Sequence, residues 1–533
     1  MRALLVQARS PATYWGYQFT LPFIGKAAAL PPLGPATLAA LLPRSWELRI
    51  LDLHVEPLTD EALRWADAVL VSAMLVQADS AREVLRRARA LGKRTVVGGP
   101  APTTSPGSFP EADHLFQGEA EGRLAPLVRA LEDPPGAAPR LLSPEGEAPP
   151  DLRLSPVPRF DLLDLRRYAT VSLQASRGCP FSCEFCDIVE IFGRVPRVKP
   201  AGQILAELEA LRALGARGSL FFVDDNFIGN RKAIAQLLPR LADWQRAHGR
   251  PFELVTEASL DLAGEPALVE GMVEAGFTAV FTGIETPSAE ALRGAHKLQN
   301  LKVDPAEAVG RLTAAGLEVY AGFIVGFDAD GPDIFERQLR FISGVAIPRA
   351  MVGVLSALPG TALWRRLEGE GRLRGAPGGD QFDRPNFAPA MDEAVLLAGY
   401  RRLLAALYAD DAYYDRCERF LDSARQLPTA LSPGGPATLA RAVAGIGLRG
   451  RRRRRFWRLM ARAARRGPAA VARAVALAVV GEHMIRYTEE VVLPRLDRTL
   501  AALAAPAPAR EPARAPVARL GPLGAAPPAP AAG

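Results

Sequence analysis

Three cysteines spaced C-x₃-C-x₂-C, namely Cys179, Cys183 and Cys186, are the residues whose types and spacing most clearly indicate chemistry. The chain has only four cysteines in 533 residues, so three of them within one short stretch form a motif. Thiolates are preferred ligands of iron–sulfur clusters, and three of them can hold three irons of a cubane [4Fe–4S] cluster. The fourth iron is then open to a chelating small molecule, which makes the cluster a reagent as well as an electron carrier.

The same cysteines leave a structural zinc site as an alternative, because zinc is usually held by four N or S ligands, often in paired C-x₂-C knuckles. No histidine or second cysteine pair lies near the motif, which favours the cluster. A disulfide framework fits less well, since the cysteines are far too few for a stapled secreted domain. The remaining cysteine, Cys417, falls in a helical pattern and is expected to be an ordinary core thiol.

The cysteine motif follows the first strand of a β/α series that begins near Tyr168 and predicts a partial (β/α)₆ TIM-like barrel over residues 166–365. Chemistry in parallel barrels lies at the carboxyl ends of the strands. The predicted strands are Val171–Ala175, Ser219–Val223, Phe252–Thr256, Ala279–Ile284, Glu318–Val325 and Met351–Ser356. Residues at or just after their ends are expected to share the barrel mouth with the cysteines: Asp224, Asp225, Asn226, Glu257, Gly283 and Glu285.

Two roles are open for these strand-end groups. Buried charges are rarely kept without a partner, which favours Glu257 and Glu285 as residues lining a site. Asp225 and Asn226 could instead cap the helix near Arg231, since Asp and Asn are common N-cap residues. Lys297, Gln299 and Asn300 follow Glu285 and are left undecided in the same way.

Residues 1–132 alternate short apolar runs with helical patterns and predict an α/β, Rossmann-like domain with a doubly wound parallel sheet. The predicted strands are Ala3–Val6, Leu48–Leu51, Ala68–Ala73, Thr95–Val97 and His114–Phe116. No G-x-G-x-x-G follows any of them, so a dinucleotide is not indicated. Small residues follow the strands instead and let a large flat ligand approach the backbone: Ser72, Gly98, Gly99, Pro100 and Gly118, with Glu119 beside them.

The Ser-Arg-Gly-Cys-Pro-Phe lead-in, the cysteine spacing and Phe185 before the third cysteine resemble the radical S-adenosylmethionine (SAM) superfamily. The resemblance implies that SAM chelates the open iron and is cleaved by one electron to a 5′-deoxyadenosyl radical, with Phe185 beside the adenine. It also implies SAM contacts from the residues at the ends of the barrel strands, namely Asp224, Asp225, Asn226, Glu257, Gly283 and Glu285. The superfamily often has Gly-Gly-Glu where this chain has Asp224-Asp225-Asn226, which leaves the individual contacts open.

The N-terminal module resembles the cobalamin-binding domain of cobalamin-dependent radical SAM enzymes. The matching stretches are Pro31–Ala40, Gly98-Gly99-Pro100 and Gly118-Glu119-Ala120-Glu121, and the resemblance implies cobalamin contacts from Ser72 through Glu119. Asp52-Leu53-His54 imitates half of the D-x-H-x-x-G motif that ligates cobalt, but it lacks the glycine and follows the second strand. His54 is therefore expected to be a surface or strand-end histidine, with water or nothing on the lower face of cobalt.

A closer resemblance is to the subgroup that includes the hopanoid 2-methyltransferases and carries an extra C-terminal domain. It implies methyl transfer from methylcobalamin to an unactivated carbon of a lipid-like or secondary-metabolite small molecule. An electron donor such as flavodoxin or ferredoxin is expected. Two alternatives stay open: a ring-forming or oxidative reaction with the same cofactors, and a non-catalytic cobalamin sensor or carrier with a structural cluster.

The charge pattern adds one local feature. The net charge is +7, yet ten arginines fall between residues 449 and 466 without an acidic residue, so the rest of the chain is at −3. With Phe456 and Trp457 interleaved, this basic segment could contact an anionic membrane surface, while no nucleic acid is expected. The absence of a visible signal peptide and the oxygen-sensitive cluster suggest the cytoplasm, with the inner face of the membrane as an open alternative.

The remaining boundaries follow from composition. Residues 133–165 are rich in proline and are expected to form a linker. Residues 366–500 are expected to form a mostly helical domain, including a short apolar helix at Ala469–Val480 that Arg473 interrupts. Residues 501–533 are Ala/Pro-rich and are expected to be a disordered tail.

Overall fold

The first domain contains a six-stranded parallel sheet, and its strand order indicates at which edge a ligand would bind. The computed structural model describes residues 1–143, 148–425 and 435–505. The strands are β1 (Arg2–Gln7), β2 (Glu47–Asp52), β3 (Ala68–Ser72), β4 (Arg94–Gly98), β5 (His114–Phe116) and β6 (Leu141–Leu142). Their order is β2-β1-β3-β4-β5-β6, so the order reverses between β1 and β3. Ligands of such sheets bind beyond the carboxyl ends of the strands near this switch point.

Helices cover both faces of this sheet, because β1, β3 and β4 are apolar through their centres on both sides. One apolar layer contains Val6, Val71 and Val97, and the other contains Leu5 and Val96. The helices are α1 (Leu21–Ile24), α2 (Leu33–Leu41), α3 (Asp60–Trp65), α4 (Ala78–Ala90), α5 (Pro100–Thr104) and α6 (Ala125–Glu132).

The segment 133–165 departs from the linker that its proline content predicts. Leu141 and Leu142 form β6, which pairs with Leu115 and Phe116 of β5 and extends the sheet. Farther along, Leu152 and Phe160 are buried and lie in short 3₁₀ turns. These apolar side chains gain burial against the domains on either side, so the described part of the segment packs as structure; residues 144–147 lie outside it.

The second domain is the partial barrel that the sequence predicts. Its sheet has the order β14-β13-β12-β11-β10-β7, and every neighbouring pair is parallel. The strands are β7 (Val171–Leu173), β8 (Ser176–Arg177), β9 (Arg197–Val198), β10 (Gly218–Phe222), β11 (Phe252–Glu257), β12 (Phe277–Glu285), β13 (Glu318–Val325) and β14 (Arg349–Val354). The short antiparallel pair β8–β9 brackets the cysteine loop.

Helices cover the outside of the barrel and form the C-terminal region. Those of the barrel are α7 (Ile188–Phe192), α8 (Ala201–Ala213), α9 (Arg231–Ala247), α10 (Pro266–Ala275), α11 (Ala289–Gly294), α12 (Pro305–Ala315), α13 (Ile334–Gly344) and α14 (Ala362–Gly369). Those of the C-terminal region are α15 (Glu393–Leu407), α16 (Asp410–Ser423), α17 (Gly435–Ala442), α18 (Arg453–Ala464), α19 (Pro468–Tyr487) and α20 (Leu493–Ala504).

The C-terminal helices extend beyond their predicted bounds. Helix α19 continues past Val480 to Tyr487, and α20 ends at Ala504, inside the predicted tail, whose residues 506–533 lie outside the described chain. By length and composition alone, the run Pro468–Ala504 could cross a membrane, but 72% of its apolar window is buried inside the protein. Ala474, Leu477 and Ala478 pack in the main core, as expected for an internal helix.

The basic segment is largely paired within this region. Six of its ten arginines form ion pairs with carboxylates of α16 and of the helical run that begins at Pro468: Arg451, Arg452, Arg455, Arg458, Arg462 and Arg466. Arg452 is only 6% exposed and contacts Asp410 at 2.6 Å and Glu482 at 3.1 Å. Most of the positive charge therefore neutralises neighbouring helices. In the described chain Arg449, Arg453, Arg454 and Arg465 have no carboxylate partner.

The segment after β1 joins the first domain to the last helices. The Tyr14 and Thr488 hydroxyls are 2.6 Å apart, and Tyr487 donates a hydrogen bond to the Ala12 carbonyl at 2.6 Å. His483 Nε2 lies 3.1 Å from the Thr13 and Tyr14 carbonyl oxygens. Burial lowers the pKa of His483 to about 4, so the ring is neutral and donates from Nε2. The amino-terminal domain and the C-terminal helices therefore form one packed body.

Candidate active site

The cysteine loop is closed at its base by the β8–β9 pair. Cys179 N–H donates to the Gly193 carbonyl at 3.3 Å, and Gly178 N–H donates to Asp225 Oδ2 at 2.9 Å. Gly178 has a φ of +93°, and a Cβ there would lie 2.9 Å from the Gly193 carbonyl oxygen. Glycine is therefore required for the two arms of the loop to meet.

The three thiols of the loop are free and half-buried. Asn226 Nδ2 lies 3.9 Å from Cys179 Sγ, and Gln299 Nε2 lies 3.4 Å from Cys183 Sγ. Burial raises the pKa of the Cys186 thiol to about 12, so an isolated thiolate is unfavourable there. A bound metal reverses that preference, because coordination deprotonates a thiol.

The donor set fits a cluster better than a single ion. Among the described residues, no three His, Cys, Asp or Glu side chains converge on one metal position. A mononuclear zinc site needs all its sulfurs about 2.3 Å from one point. A cubane instead takes each thiolate on a separate iron, so spread thiols with nearby N–H donors suit it.

Asp224 and Asp225 lie at the base of the cysteine loop. Asp224 accepts from Ala175 N–H at 2.8 Å and from the Ser176 hydroxyl at 2.6 Å, and burial raises its pKa to about 7. Asp225 accepts from Gly178 N–H, and burial raises its pKa to about 6. These carboxylates hold the polypeptide that leads into Cys179. The capping role proposed for Asp225 is wrong, because Asn230 caps α9 by accepting from Ala233 N–H at 3.1 Å.

Asn226 links the cysteine loop to the loop after β11. Its amide Nδ2 donates to the Ser259 hydroxyl at 3.1 Å and faces Cys179, while its Oδ1 accepts from Ser259 N–H at 3.2 Å. Asn226 therefore does not cap α9 either.

Glu257 is the last residue of β11, and its carboxylate has fewer partners than those of Asp224, Asp225 and Glu285. Within the described chain no hydrogen bond or ion pair to its carboxylate accompanies its burial. Burial, with smaller effects of Asp225 and Asp224, raises its pKa to about 8. A desolvated, unpaired carboxylate at a strand end is suited to bind a cationic ligand.

Glu285 is paired with Lys297 beside the cysteine loop. Glu285 has a φ of +66° at a register irregularity of β12, and a Cβ on Gly283 would lie 2.7 Å from Lys297 Nζ. Gly283 thus leaves room for the pair. Burial opposes the Lys297 ammonium, but Glu285 and Cys183 outweigh it and raise the pKa of Lys297. Lys297 Nζ also lies 5.7 Å from the Phe185 ring centroid.

Sequence reasoning left Lys297, Gln299 and Asn300 without roles, although all three belong to this site. Gln299 faces Cys183, and Asn300 Nδ2 donates to the Gly283 and Ile284 carbonyls at 2.9 and 3.1 Å. Their only signal in the sequence was polarity shortly after Glu285.

The small residues expected around cobalamin lie along the carboxyl edge of β3, β4 and β5. Ser72 and Gly98 are register partners, and Pro100 begins α5. Gly99 has a φ of +101°, and a Cβ there would lie 3.0 Å from the Ala73 carbonyl oxygen. Gly118, with a φ of +76°, donates its N–H to Thr103 Oγ1 at 3.1 Å. Glycine at position 99 is therefore required by the close approach of the chains after β3 and β4.

The side chains of His54 and Glu119 already have hydrogen-bonding or ionic partners within the protein. His54 Nδ1 lies 2.8 Å from Asp52 Oδ1, and its Nε2 accepts from Ser10 N–H at 2.9 Å, in agreement with a strand-end histidine. Glu119 contacts Arg177 and Arg197, both at 2.7 Å. Cys417 is fully buried, as the sequence predicts for a core thiol.

The carboxyl edges of the two sheets face each other. Glu119, which follows β5, reaches Arg177 of the cysteine loop. Trp15, which follows β1, packs on Phe281 of β12 with ring centroids 5.0 Å apart. A Cβ on Gly322 of β13 would lie 3.0 Å from the Phe281 ring, so this wall of the barrel is aromatic and closely packed.

Comparison with known families agrees with this architecture. Residues 27–128 match the B12 binding domain, residues 173–342 match the radical SAM superfamily, and residues 361–494 match a domain of unknown function, DUF4070. A cobalamin-binding domain facing a radical SAM barrel with a C-x₃-C-x₂-C loop defines the cobalamin-dependent radical SAM enzymes.

Two relatives place the chain more narrowly. It is 40% identical over 501 residues to an uncharacterized methyltransferase, sll1242, of Synechocystis sp., covering 92% of each chain. It is 35% identical over 502 residues to the hopanoid C-2 methylase of Rhodopseudomonas palustris, covering 92% of this chain and 94% of that enzyme. The chain belongs to this family of cobalamin-dependent radical SAM methyltransferases, and its cofactors are a [4Fe–4S] cluster, SAM and cobalamin.

Solved structures share the fold. The cobalamin-dependent SAM radical enzyme OxsB, with aqua-cobalamin bound, superposes with a TM-score of 0.60 at 16% identity, covering 94% of this chain and 80% of OxsB. The radical SAM methyltransferase TsrM of Kitasatospora setae gives a TM-score of 0.59 at 16% identity, covering 88% of this chain and 100% of TsrM. At this identity the likeness concerns the fold.

Proposed function

We propose that the protein transfers a methyl group to an unactivated carbon of a lipid-like small molecule. The observation that carries the proposal is that the carboxyl edges of the two sheets face each other, through the Trp15–Phe281 and Glu119–Arg177 contacts. Ligands of parallel sheets bind at those edges. Two cofactors bound there would face one space, in which a substrate carbon could be within reach of both.

The chain's own residues divide into holding, orienting and enclosing roles. Cys179, Cys183 and Cys186 would hold the cluster, and the glycine-rich edge from Ser72 to Gly118 would face cobalamin. Bound together, the cofactors supply radical generation from SAM and a transferable methyl group. Asp224 and Asp225 orient the cysteine loop through their hydrogen bonds to Ala175, Ser176 and Gly178.

The SAM contacts are proposed for the groups that ring the loop. Glu257 offers an unpaired carboxylate to the cationic part of SAM, and its raised pKa reflects how poorly water solvates it. Phe185 offers an aromatic face for the adenine, next to Lys297. Glu285, paired with Lys297, keeps that ammonium charged near Cys183. Asn226 and Gly283 complete the set.

An apolar substrate suits the walls of this space. Trp15 and Phe281 form an edge-to-face pair there. Hydrocarbon packs well against such rings, which also exclude water from a radical. The hopanoid C-2 methylase relative supports a lipid-like substrate. Peripheral membrane contact would then rest on the four unpaired arginines of the basic segment.

The experiment is anaerobic incubation of reconstituted protein with SAM, cobalamin, a strong reductant and a lipid extract. Mass spectrometry follows 5′-deoxyadenosine, S-adenosylhomocysteine and a lipid gaining one methyl group. All three products together support the proposal. Deoxyadenosine without a methylated product in any extract, but with a desaturated or cyclised one, supports the ring-forming or oxidative alternative. Bound cobalamin with no SAM cleavage supports the sensor alternative and overturns the proposal.

A further inference from the structure

Four charged side chains, with at most 16% exposure each, join the loop after β5 to the cysteine loop: Glu119, Glu121, Arg177 and Arg197. We infer that this group, the interdomain clamp, fixes the separation and orientation of the two cofactor-binding loops, and that its members are positioning residues for methyl transfer. The inference rests on the proposed function for its catalytic consequence, whereas its geometric content stands on the contacts themselves.

The clamp and its neighbour Gln174 engage four of the five N–H donors of Arg177. Its Nη2 donates to Glu121 Oε1 at 2.8 Å, and its Nη1 reaches Glu119 Oε2 at 2.7 Å and Glu121 Oε2 at 3.0 Å. Its Nε donates to Gln174 Oε1 at 2.7 Å. Arg197 grips Glu119 with a second fork, at 2.7 and 3.1 Å. Forked arginine–carboxylate pairs fix angle as well as distance, which a lysine ammonium cannot do.

Burial makes orientation, more than stability, the benefit of this group. Glu121 and Glu119 are 2% and 5% exposed, and Arg177 is 13% exposed. Desolvating four charges offsets most of their mutual attraction, so apolar residues of similar size would join the domains at least as well. Removing Arg177 would leave Glu121 buried without its ionic partner, and removing Glu119 would do the same to Arg197.

The clamp lies within one or two residues, along the sequence, of each proposed cofactor-binding loop. Arg177 is two residues before Cys179, and the intervening Gly178 is held by Asp225. Glu119 directly follows Gly118, at the edge proposed for cobalamin. A displacement of the clamp is therefore transmitted to both loops through only a few rotatable bonds. A misplacement of about 1 Å costs on the order of 10²-fold in rate when two reacting groups must meet.

The test uses the holoenzyme with Glu121→Gln and Arg177→Lys. Glu318→Gln is the matched control, because Glu318 pairs with Arg349 at 3.0 Å and both are buried at the amino ends of β13 and β14, away from both loops. Pulsed electron paramagnetic resonance measures the distance distribution between the reduced cluster and cob(II)alamin. We expect a wider or shifted distribution in both clamp variants and an unchanged one in Glu318→Gln.

Activity gives the second readout. We expect methylated product to fall by about 10²-fold in the clamp variants while deoxyadenosine continues to form. An unchanged distance distribution in variants that retain both cofactors overturns the inference, as does an equal shift in Glu318→Gln. If either variant fails to fold, Glu119→Gln, which keeps one oxygen for an arginine, replaces it. If wild-type protein makes no methylated product, the proposed function fails, but the distance measurement still decides the clamp.

Discussion

Glu257→Gln should weaken SAM binding much more at high pH than at low pH. The wild-type carboxylate has a pKa raised to about 8 by burial, so it is about three-quarters ionised at pH 8.5 and about 3% ionised at pH 6.5. Its ionised form binds a cation, and deprotonation must precede that contact. The charge-dependent part of wild-type affinity therefore falls by about 25-fold between the two pH values.

The size of the mutational effect follows from the same numbers. A hydrogen bond to a charged group contributes about 1.5–3 kcal/mol, which is about a 10- to 150-fold change in Kd. At pH 8.5 the variant should bind SAM weaker by about that factor. At pH 6.5 the difference should shrink to about sixfold or less, because the wild-type side chain is protonated.

The assay is anaerobic equilibrium binding of SAM to reconstituted wild type, Glu257→Gln and the distant control Glu318→Gln at both pH values. Chelation of iron by the SAM amino group also depends on pH, but it does so equally in all three proteins, so the ratio of dissociation constants isolates Glu257. The reasoning is refuted if the wild-type-to-variant ratio is the same at pH 6.5 and 8.5, or if Glu318→Gln shows the same pattern.

Three further outcomes are expected. Cys183→Ala should abolish deoxyadenosine formation while the first domain still binds cobalamin, as judged by product analysis and visible absorbance; residual cleavage would contradict the cluster assignment. His54→Ala should leave the electron paramagnetic resonance spectrum of bound cob(II)alamin unchanged, because both ring nitrogens already have partners, and a lost nitrogen splitting would argue for ligation. Because burial raises the pKa of Cys417 to about 12, its thiolate fraction stays negligible until the pH approaches that value. Iodoacetamide at pH 8 should therefore alkylate Cys183 but not Cys417 in native, cluster-free protein, and peptide mass spectrometry would reveal the reverse.

The hydrophobic pattern of the sequence predicted the barrel well, because most of its strands are apolar runs long enough to be recognised as strands. The prediction Glu318–Val325 matches β13, and Ala279–Ile284 lies inside β12. Strand β6 could not be found this way, since Leu141-Leu142 is too short to show a period and is a strand only because β5 leaves an open edge. Helix α19 continues past the predicted end at Val480, where the apolar run stops, because Glu482 and His483 are paired with Arg452 and with the Thr13 and Tyr14 carbonyls.

The sequence predicted where the site residues lie in the fold better than it predicted which side chains they contact. Strand ends marked Asp224, Glu257 and Glu285 correctly as barrel-mouth residues. The partners are set by long-range packing: Glu119 meets an arginine 58 residues away, and Gln299 meets a cysteine 116 residues away. No local pattern encodes such pairs. The sequence therefore could not show that Asp224 is hydrogen-bonded to Ala175 and Ser176, whereas the Glu257 carboxylate has no such bonds.

The contact between Tyr14 and Thr488 also sets an order of events during synthesis. It spans 474 residues, so at about 5–20 residues per second the amino-terminal segment waits about half a minute to a minute and a half for its partner to be made. The segment of Trp15 therefore cannot settle over the barrel until the last helices have left the ribosome. Until then the side of the barrel that Trp15 covers would stay open to the cofactors. We therefore expect a folded apoprotein to take up cobalamin more slowly than a nascent or newly completed chain.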